Sequence, residues 1–332
     1  MYGRGFSKWK KSDTIIKESE GKRMEYVLLV VGFVLLIKGA DFFVEGSSSV
    51  AKMLRIPSMI IGMTIVAMGT SLPECSVSVS ASLAQKNELA ISNAIGSNIF
   101  NLMVVCGFCT LFCPLAVQAS TLKKEFPFSV LVAIMLLGFG STSMLVGHTE
   151  GIILLVVFAA FIFWMVQSAL KARNVSIENE EYEILPIWKC LLFIVGGMIA
   201  IAYGGNLVID AASKIARNFE MSDNLIGLTI VACGTSLPEL VTSIVAARKN
   251  EVDMALGNVI GSNIFNILFV LGIAAAISPI TFLQENVVDI VVLVAMSLLV
   301  WAFAWSKKTL VRWEGVCMLL IYAGYLGYII NR

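Results

Sequence analysis

The chain has 332 residues, of which 58% are hydrophobic and 14% charged, with a formal net charge of +1 and a mean hydropathy of +0.86. Soluble domains carry about 25% charged residues, so this chain lacks the polar surface to cover itself in water. Its near-neutral balance also gives nucleic acid nothing to bind, and the bilayer is the solvent it fits.

Residues 1–25 are rich in Lys and Arg and form no span. They resemble the charged start of a signal peptide, but the apolar stretch that follows is too long for an h-region and lacks a small-residue cleavage site. They are expected to be a disordered tail, or an over-extended start ahead of Met24. A membrane helix needs about 20 apolar residues. A first set is expected near 26–53, 58–86, 89–113, 126–146 and 149–170, making a unit over 26–170. The stretch "KARNVSIENEEYEILP" at 171–186 reads as a short acidic cytoplasmic linker. A second set follows near 187–217, 223–249, 252–277, 287–305 and 310–330, within a unit over 187–330. The fold class is therefore an all-α polytopic membrane protein with ten transmembrane helices.

The seven cysteines lie almost entirely in apolar segments. "CGFCTLFC" at 106–113 has no His or second Cys pair with it, so it reads as small packing residues rather than a zinc site. The one histidine, His148, lies in a short connection.

An offset of 165 residues brings the two halves into register. "GMTIVAMGTSLPE" (62–74) lies over "GLTIVACGTSLPE" (227–239), and "IGSNIFN" (95–101) over an identical "IGSNIFN" (260–266). Each half holds an odd number of helices, so the second copy of each helix crosses the membrane opposite to the first. This is an inverted-topology repeat, in which substrate sites form near the midplane at the repeat interface. Counting Lys and Arg over short loops favours the connections running from Lys52 and Arg55 to Lys307, Lys308 and Arg312 as cytoplasmic. The N-terminus is then outside, and the basic tail argues the other way.

In "GTSLPE", Gly69 loosens the helix and Pro73 cannot donate a helical hydrogen bond. Glu74 follows Thr70 by one turn on the same face, and Thr235, Pro238 and Glu239 repeat the arrangement. Ser97 and Asn101 share a face of the next helix, as do Ser262 and Asn266. Two carboxylates with hydroxyl, amide and carbonyl oxygens suit hard cations, calcium with sodium also possible, and suit zinc or copper poorly. Asn93, Asn98, Asn258 and Asn263 read equally well as interhelical hydrogen-bond glue. The glutamates do not: an acidic residue near the bilayer centre costs about 2.5–3.5 kcal/mol even on the lenient scale, and such residues mark ion or proton pathways.

At these residues, from about 26 onward, the chain resembles the cation/calcium exchangers, particularly their sodium/calcium branch. The family's alpha-repeats correspond to 62–107 and 227–272. The resemblance implies ten helices in two inverted five-helix halves, a central cluster of cation sites, and alternating access by sliding of the first and sixth helices. It places ion ligands at Ala67, Thr70, Ser71, Glu74, Ser97 and Asn101, and at Ala232, Thr235, Ser236, Glu239, Ser262 and Asn266. The alanines would act through backbone carbonyls. Some relatives carry Asp where this chain has Asn266, which leaves stoichiometry, potassium dependence and proton linkage open. The implied activity is antiport of calcium against sodium in the plasma membrane, with no cofactor and no obligate protein partner. The alternative is proton-coupled calcium exchange, whose carriers usually show a GNA-containing signature before the glutamate. A channel fits inverted repeats with broken helices less well. An enzyme lacks a nucleophile, metal triad or cofactor motif beside the paired carboxylates.

Overall fold

The structure is a computed structural model that describes residues 4–172, 185–222 and 226–331. Almost all of it is helix: α1 (Arg4–Leu54), α2 (Ser58–Thr70), α3 (Leu72–Leu83), α4 (Asn87–Phe112), α5 (Thr121–Thr142) and α6 (His148–Ala172). Then come α7 (Ile187–Asn218), α8 (Gly227–Val231 running into Ala232–Gly234), α9 (Leu237–Arg248), α10 (Val252–Ile277), α11 (Gln284–Lys307) and α12 (Arg312–Asn331). Among the described residues, eight helices are long and apolar enough to cross a membrane, and α2 with α3 make a ninth span bent by 49°. The chain is an integral, multi-pass membrane protein.

Two expectations are corrected in detail. The segment read as a disordered tail continues α1, which is helical from Arg4, and no proline interrupts residues 4–54. The spans expected at 58–86 and 223–249 are each broken, at Ser71 and at Thr235–Ser236. In each case a proline follows the break and starts the next helix at one of its first two positions, where its missing N–H costs nothing. The start of the second broken span, 223–225, lies outside the described residues, as does most of the acidic linker, 173–184.

Five short π-helical turns, at Gly62–Val66, Asn101–Val105, Thr121–Glu125, Gly227–Val231 and Asn266–Val270, carry no sequence signal of their own. Four of them sit in the repeated motif regions, as such turns do at functional sites.

The halves are interleaved. Leu115–Ala116 pairs antiparallel with Thr309–Leu310, and Leu145–Val146 with Ile280–Thr281, so each two-residue strand finds its partner in the other half. Helix α6 packs on the end of α10, and α12 packs on the end of α4. Helices α4 and α10 are central: 78% of the most apolar window of each is buried, against 22–39% for the other spans. The rest present residues such as Phe163, Trp188, Ile199 and Leu320 outward, where lipid is the solvent.

Helices α1 and α7 cross antiparallel on a glycine seam. A Cβ at Gly39 would stand 2.9 Å from the Gly197 carbonyl, and one at Gly204 would stand 2.8 Å from that of Gly32. Small residues let membrane helices meet backbone to backbone, where van der Waals packing replaces the missing hydrophobic drive.

The two copies of the repeat are not in equal surroundings. Helix α10 lies hard against α2: a Cβ at Gly261 would meet Met63 Cα at 2.6 Å and Ala67 Cβ at 2.8 Å. Its counterpart Gly96, on α4, has nothing within 4 Å among the described residues. Ala67 is fully buried, whereas its counterpart Ala232 is exposed. One broken helix is seated and the other stands off.

This asymmetry has a measurable consequence. Gly261→Ala should destabilise the protein by about 1–3 kcal/mol, seen as a lower melting temperature in detergent. Gly96→Ala, chemically the same change at the matching position, should leave the melting temperature unchanged or slightly higher. Equal losses in both variants would contradict the one-sided packing.

Candidate functional site

The breaks in the two bent spans point the glutamates inward. Glu74 and Glu239 lie in the first turns of α3 and α9 and are fully buried. Around them Thr70, Ser71, Ser97, Asn101, Thr235, Ser236, Ser262 and Asn266 are all buried too, at 5% exposure or less. The sequence-predicted set is thus buried, apart from the exposed Ala232.

The contacts run crosswise between halves. Ser71 Oγ donates to Glu239 Oε1 at 2.7 Å, and Ser236 Oγ donates to Glu74 Oε1 at 3.0 Å. Thr70 likewise stands beside Glu239, and Thr235 beside Glu74. Ser71 and Ser236 therefore serve the glutamate of the other half, while the Thr70 hydroxyl donates to Asn258 Oδ1 at 3.0 Å. Ser97 Oγ reaches Glu74 Oε1 at 3.5 Å.

Each carboxylate thus has one oxygen held by a serine of the other half. The other oxygens, Glu74 Oε2 and Glu239 Oε2, are buried and receive no hydrogen bond from the described residues. The same is true of Asn101 Oδ1, Asn266 Oδ1 and Ser262 Oγ. Buried polar atoms without partners are costly and rare, and others among the described residues lie elsewhere, at Ser47, Asn87, Glu125, Ser213 and Thr242; those on Glu74, Glu239, Asn101, Asn266 and Ser262 make a candidate site. Only oxygen is offered, which suits a hard cation.

The alanine carbonyls are less bare than expected. Ala67 O accepts the Ser71 N–H at 3.1 Å and the Thr70 hydroxyl at 3.3 Å. Ala232 O accepts the Thr235 hydroxyl at 3.5 Å.

Four asparagines acquire definite partners. Asn93 Nδ2 donates to Glu74 O at 3.2 Å and Ser78 Oγ at 3.1 Å, and Asn258 Nδ2 donates to Glu239 O at 3.4 Å and Ser243 Oγ at 2.9 Å. They tie each glutamate's backbone to the neighbouring central helix. Asn98 and Asn263 bond to each other's backbone across the interface. Sequence reasoning left these between glue and ligand, and it did not single out Ser78 or Ser243. Their i+4 spacing from the glutamates, at 74 and 239, was the available signal.

The same architecture is found elsewhere. A family model for the sodium/calcium exchanger protein matches residues 24–167 and 189–331. The putative antiporter CaxA of Alkalimonas amylolytica is 40% identical over 314 residues, covering 90% of this chain and 96% of that one. The sodium/calcium exchanger MaX1 of Methanosarcina acetivorans is 30% identical over 342 residues, covering 91% and 97%. Among solved structures, the sodium-calcium exchanger NCX_Mj soaked with zero Na+ and Ca2+ matches with a TM-score of 0.80 at 33% identity, covering 92% of this chain and 98% of that one. With both halves matched, at nearly full length and in three dimensions, the chain is a member of the sodium/calcium exchanger family.

Proposed function

We propose that the protein is a sodium/calcium antiporter that moves calcium against sodium by alternating access. One observation carries the reading: two fully buried glutamates each keep one oxygen unbonded among the described residues, within a cluster of buried oxygen donors. Glu74, Glu239, Thr70, Thr235, Ser71, Ser236, Ser97, Ser262, Asn101 and Asn266 would hold the ions, with backbone oxygens of Ala67 and Ala232 completing the set. Two carboxylates match one divalent cation or several monovalent ones in charge. Left empty in a low-dielectric interior they are strongly penalised. An empty carrier then switches sides slowly and a loaded one quickly, which makes exchange obligatory.

The inverted ten-helix architecture is part of this reading. It is supported by the crosswise strand pairs and by the crosswise serine–glutamate bonds, since both exchange halves as a twofold axis in the membrane plane requires. The unequal seating of α2 and α8 supports a carrier open on the α8 side, which the charge count assigns to the outside. The closed side is fastened electrostatically. Lys249 Nζ lies 2.6 Å from Asp41 Oδ1 and 3.5 Å from Glu45 Oε2 on α1. Glu251 pairs with Lys52 at 3.6 Å and accepts from Ser48 and Ser58. The counterparts of Lys249 and Glu251 are Ala84 and Lys86, which form no ion pair among the described residues.

Sodium, rather than protons, is favoured as the coupling ion by the GTSLPE signature at both glutamates. Calcium-45 uptake into proteoliposomes should follow an outward sodium gradient and collapse when the gradient is dissipated. Uptake that follows a proton gradient and ignores sodium would replace the reading with proton-coupled exchange.

Glu74→Gln and Glu239→Gln preserve shape while deleting one charge each. Both should fold, and calcium exchange should fall to background because each carboxylate serves both ions. Near-normal exchange in either folded variant would end the shared-site reading. A single cysteine at Ser176, in a protein freed of its seven native cysteines, should be shielded from an impermeant thiol reagent in sealed cells. Labelling from outside would reverse the assigned orientation.

A further inference from the structure

The two central helices meet through four asparagines: Asn98 and Asn263 close a ring of two reciprocal bonds, and Asn266 and Asn101 each hang from one of them. Asn98 Nδ2 donates to the backbone carbonyl of Asn263 at 3.1 Å, and Asn263 Nδ2 donates to that of Asn98 at 3.2 Å. A backbone carbonyl only accepts, so the amide nitrogen of each must face it. The Oδ1 of each is then left as an acceptor. Asn98 Oδ1 takes the Asn266 Nδ2 at 3.1 Å, and Asn263 Oδ1 takes the Asn101 Nδ2 at 3.2 Å.

With their nitrogens engaged, Asn101 and Asn266 have one orientation left. Their Oδ1 atoms point away from the ring, are buried, and receive no hydrogen bond from the described residues. The two ends of a carboxamide differ little in size, so packing alone does not choose between oxygen and nitrogen. A cation pocket needs the choice made, because a flipped amide presents N–H donors to the ion.

We infer that Asn98 and Asn263 are positioning residues, which turn the amide oxygens of Asn266 and Asn101 toward the ion pocket and hold them there. This rests on the ion pocket described under the proposed function. It also accounts for asparagine at 266. An aspartate there has no N–H to offer Asn98 Oδ1 and would set two oxygens against each other, so Asn266 and Asn98 are matched as a pair.

The test is a double-mutant cycle in proteoliposomes, reading the maximal rate of calcium-45 exchange and the half-maximal concentrations of sodium and calcium. The proteins are the parent, Asn98→Ala, Asn266→Asp and the double variant. Asn98→Ala releases Asn266 to flip, so the half-maximal concentration of at least one ion should rise about fivefold with the maximal rate largely kept. Adding Asn266→Asp to Asn98→Ala should restore it, since a carboxylate offers oxygen in either rotation. In the parent the same change should weaken binding. Opposite signs in the two backgrounds are the expected result, and glue between helices does not produce them.

Unchanged half-maximal concentrations in Asn98→Ala, or equal effects of Asn266→Asp in both backgrounds, overturn the inference. Asn263→Ala with Asn101→Asp repeats the test on the other side of the ring. Loss of folded protein in both Asn98→Ala and Asn263→Ala would make the ring structural and also overturn it. A parent that moves no calcium would sink the exchange reading instead. The ring is then judged by calcium-45 binding to the same purified variants.

Discussion

Two fully buried carboxylates, Glu74 and Glu239, dominate the architecture. Neither glutamate has a cationic side chain as its partner among the ion pairs of the described residues. Taking such charges out of water costs several kcal/mol each unless hydrogen bonds and counter-charge compensate. The protein provides half of that compensation permanently, as one serine hydroxyl per carboxylate. The remaining oxygens, Glu74 Oε2 and Glu239 Oε2, receive no hydrogen bond from the described residues.

Ser97 of the same half reaches Glu74 at 3.5 Å, but the shorter serine bond to each carboxylate comes from the opposite half. The exchanged strands, the α6–α10 and α12–α4 contacts and the asparagine ring follow the same rule. The central helices are held by polar bonds and by close glycine contacts, as expected where lipid removes the hydrophobic drive between helices. The outer pair α1 and α7 meets backbone to backbone along a glycine seam, at Gly32 and Gly204 and at Gly39 and Gly197. The ion pairs of Lys249 and Glu251 tie α1 to the connection between α9 and α10.

Near-identical sequences occupy unlike surroundings in this structure. Gly261 and Gly96 differ in nothing but position, yet one is pressed against backbone and the other is open. If the halves exchange surroundings during transport, each position must tolerate both, which explains small residues at both. The polar ties on the two faces are not equivalent, because Lys249 and Glu251 answer to Ala84 and Lys86.

The sequence by itself determined the membrane as solvent, the placement of most spans, the duplication at an offset of 165 residues and the chemical nature of the site. These are properties of composition, period and residue type, and they do not depend on which segments meet. It also pointed to Glu74 and Glu239, because a charge in an apolar stretch is costly wherever the helix goes. Only the tertiary structure decided that Ser71 serves Glu239 and Ser236 serves Glu74, since helical spacing ranks neighbours on one helix and is blind to the helix opposite. It decided likewise that Asn93 and Asn258 tie down backbone while Asn98 and Asn263 form a ring, roles that identical residue types cannot distinguish. The short strands and π turns were invisible for a related reason: two paired residues or one extra residue in a turn leave no periodic trace. Which copy of the repeat is seated and which stands off was settled by packing alone, because the two copies read almost the same.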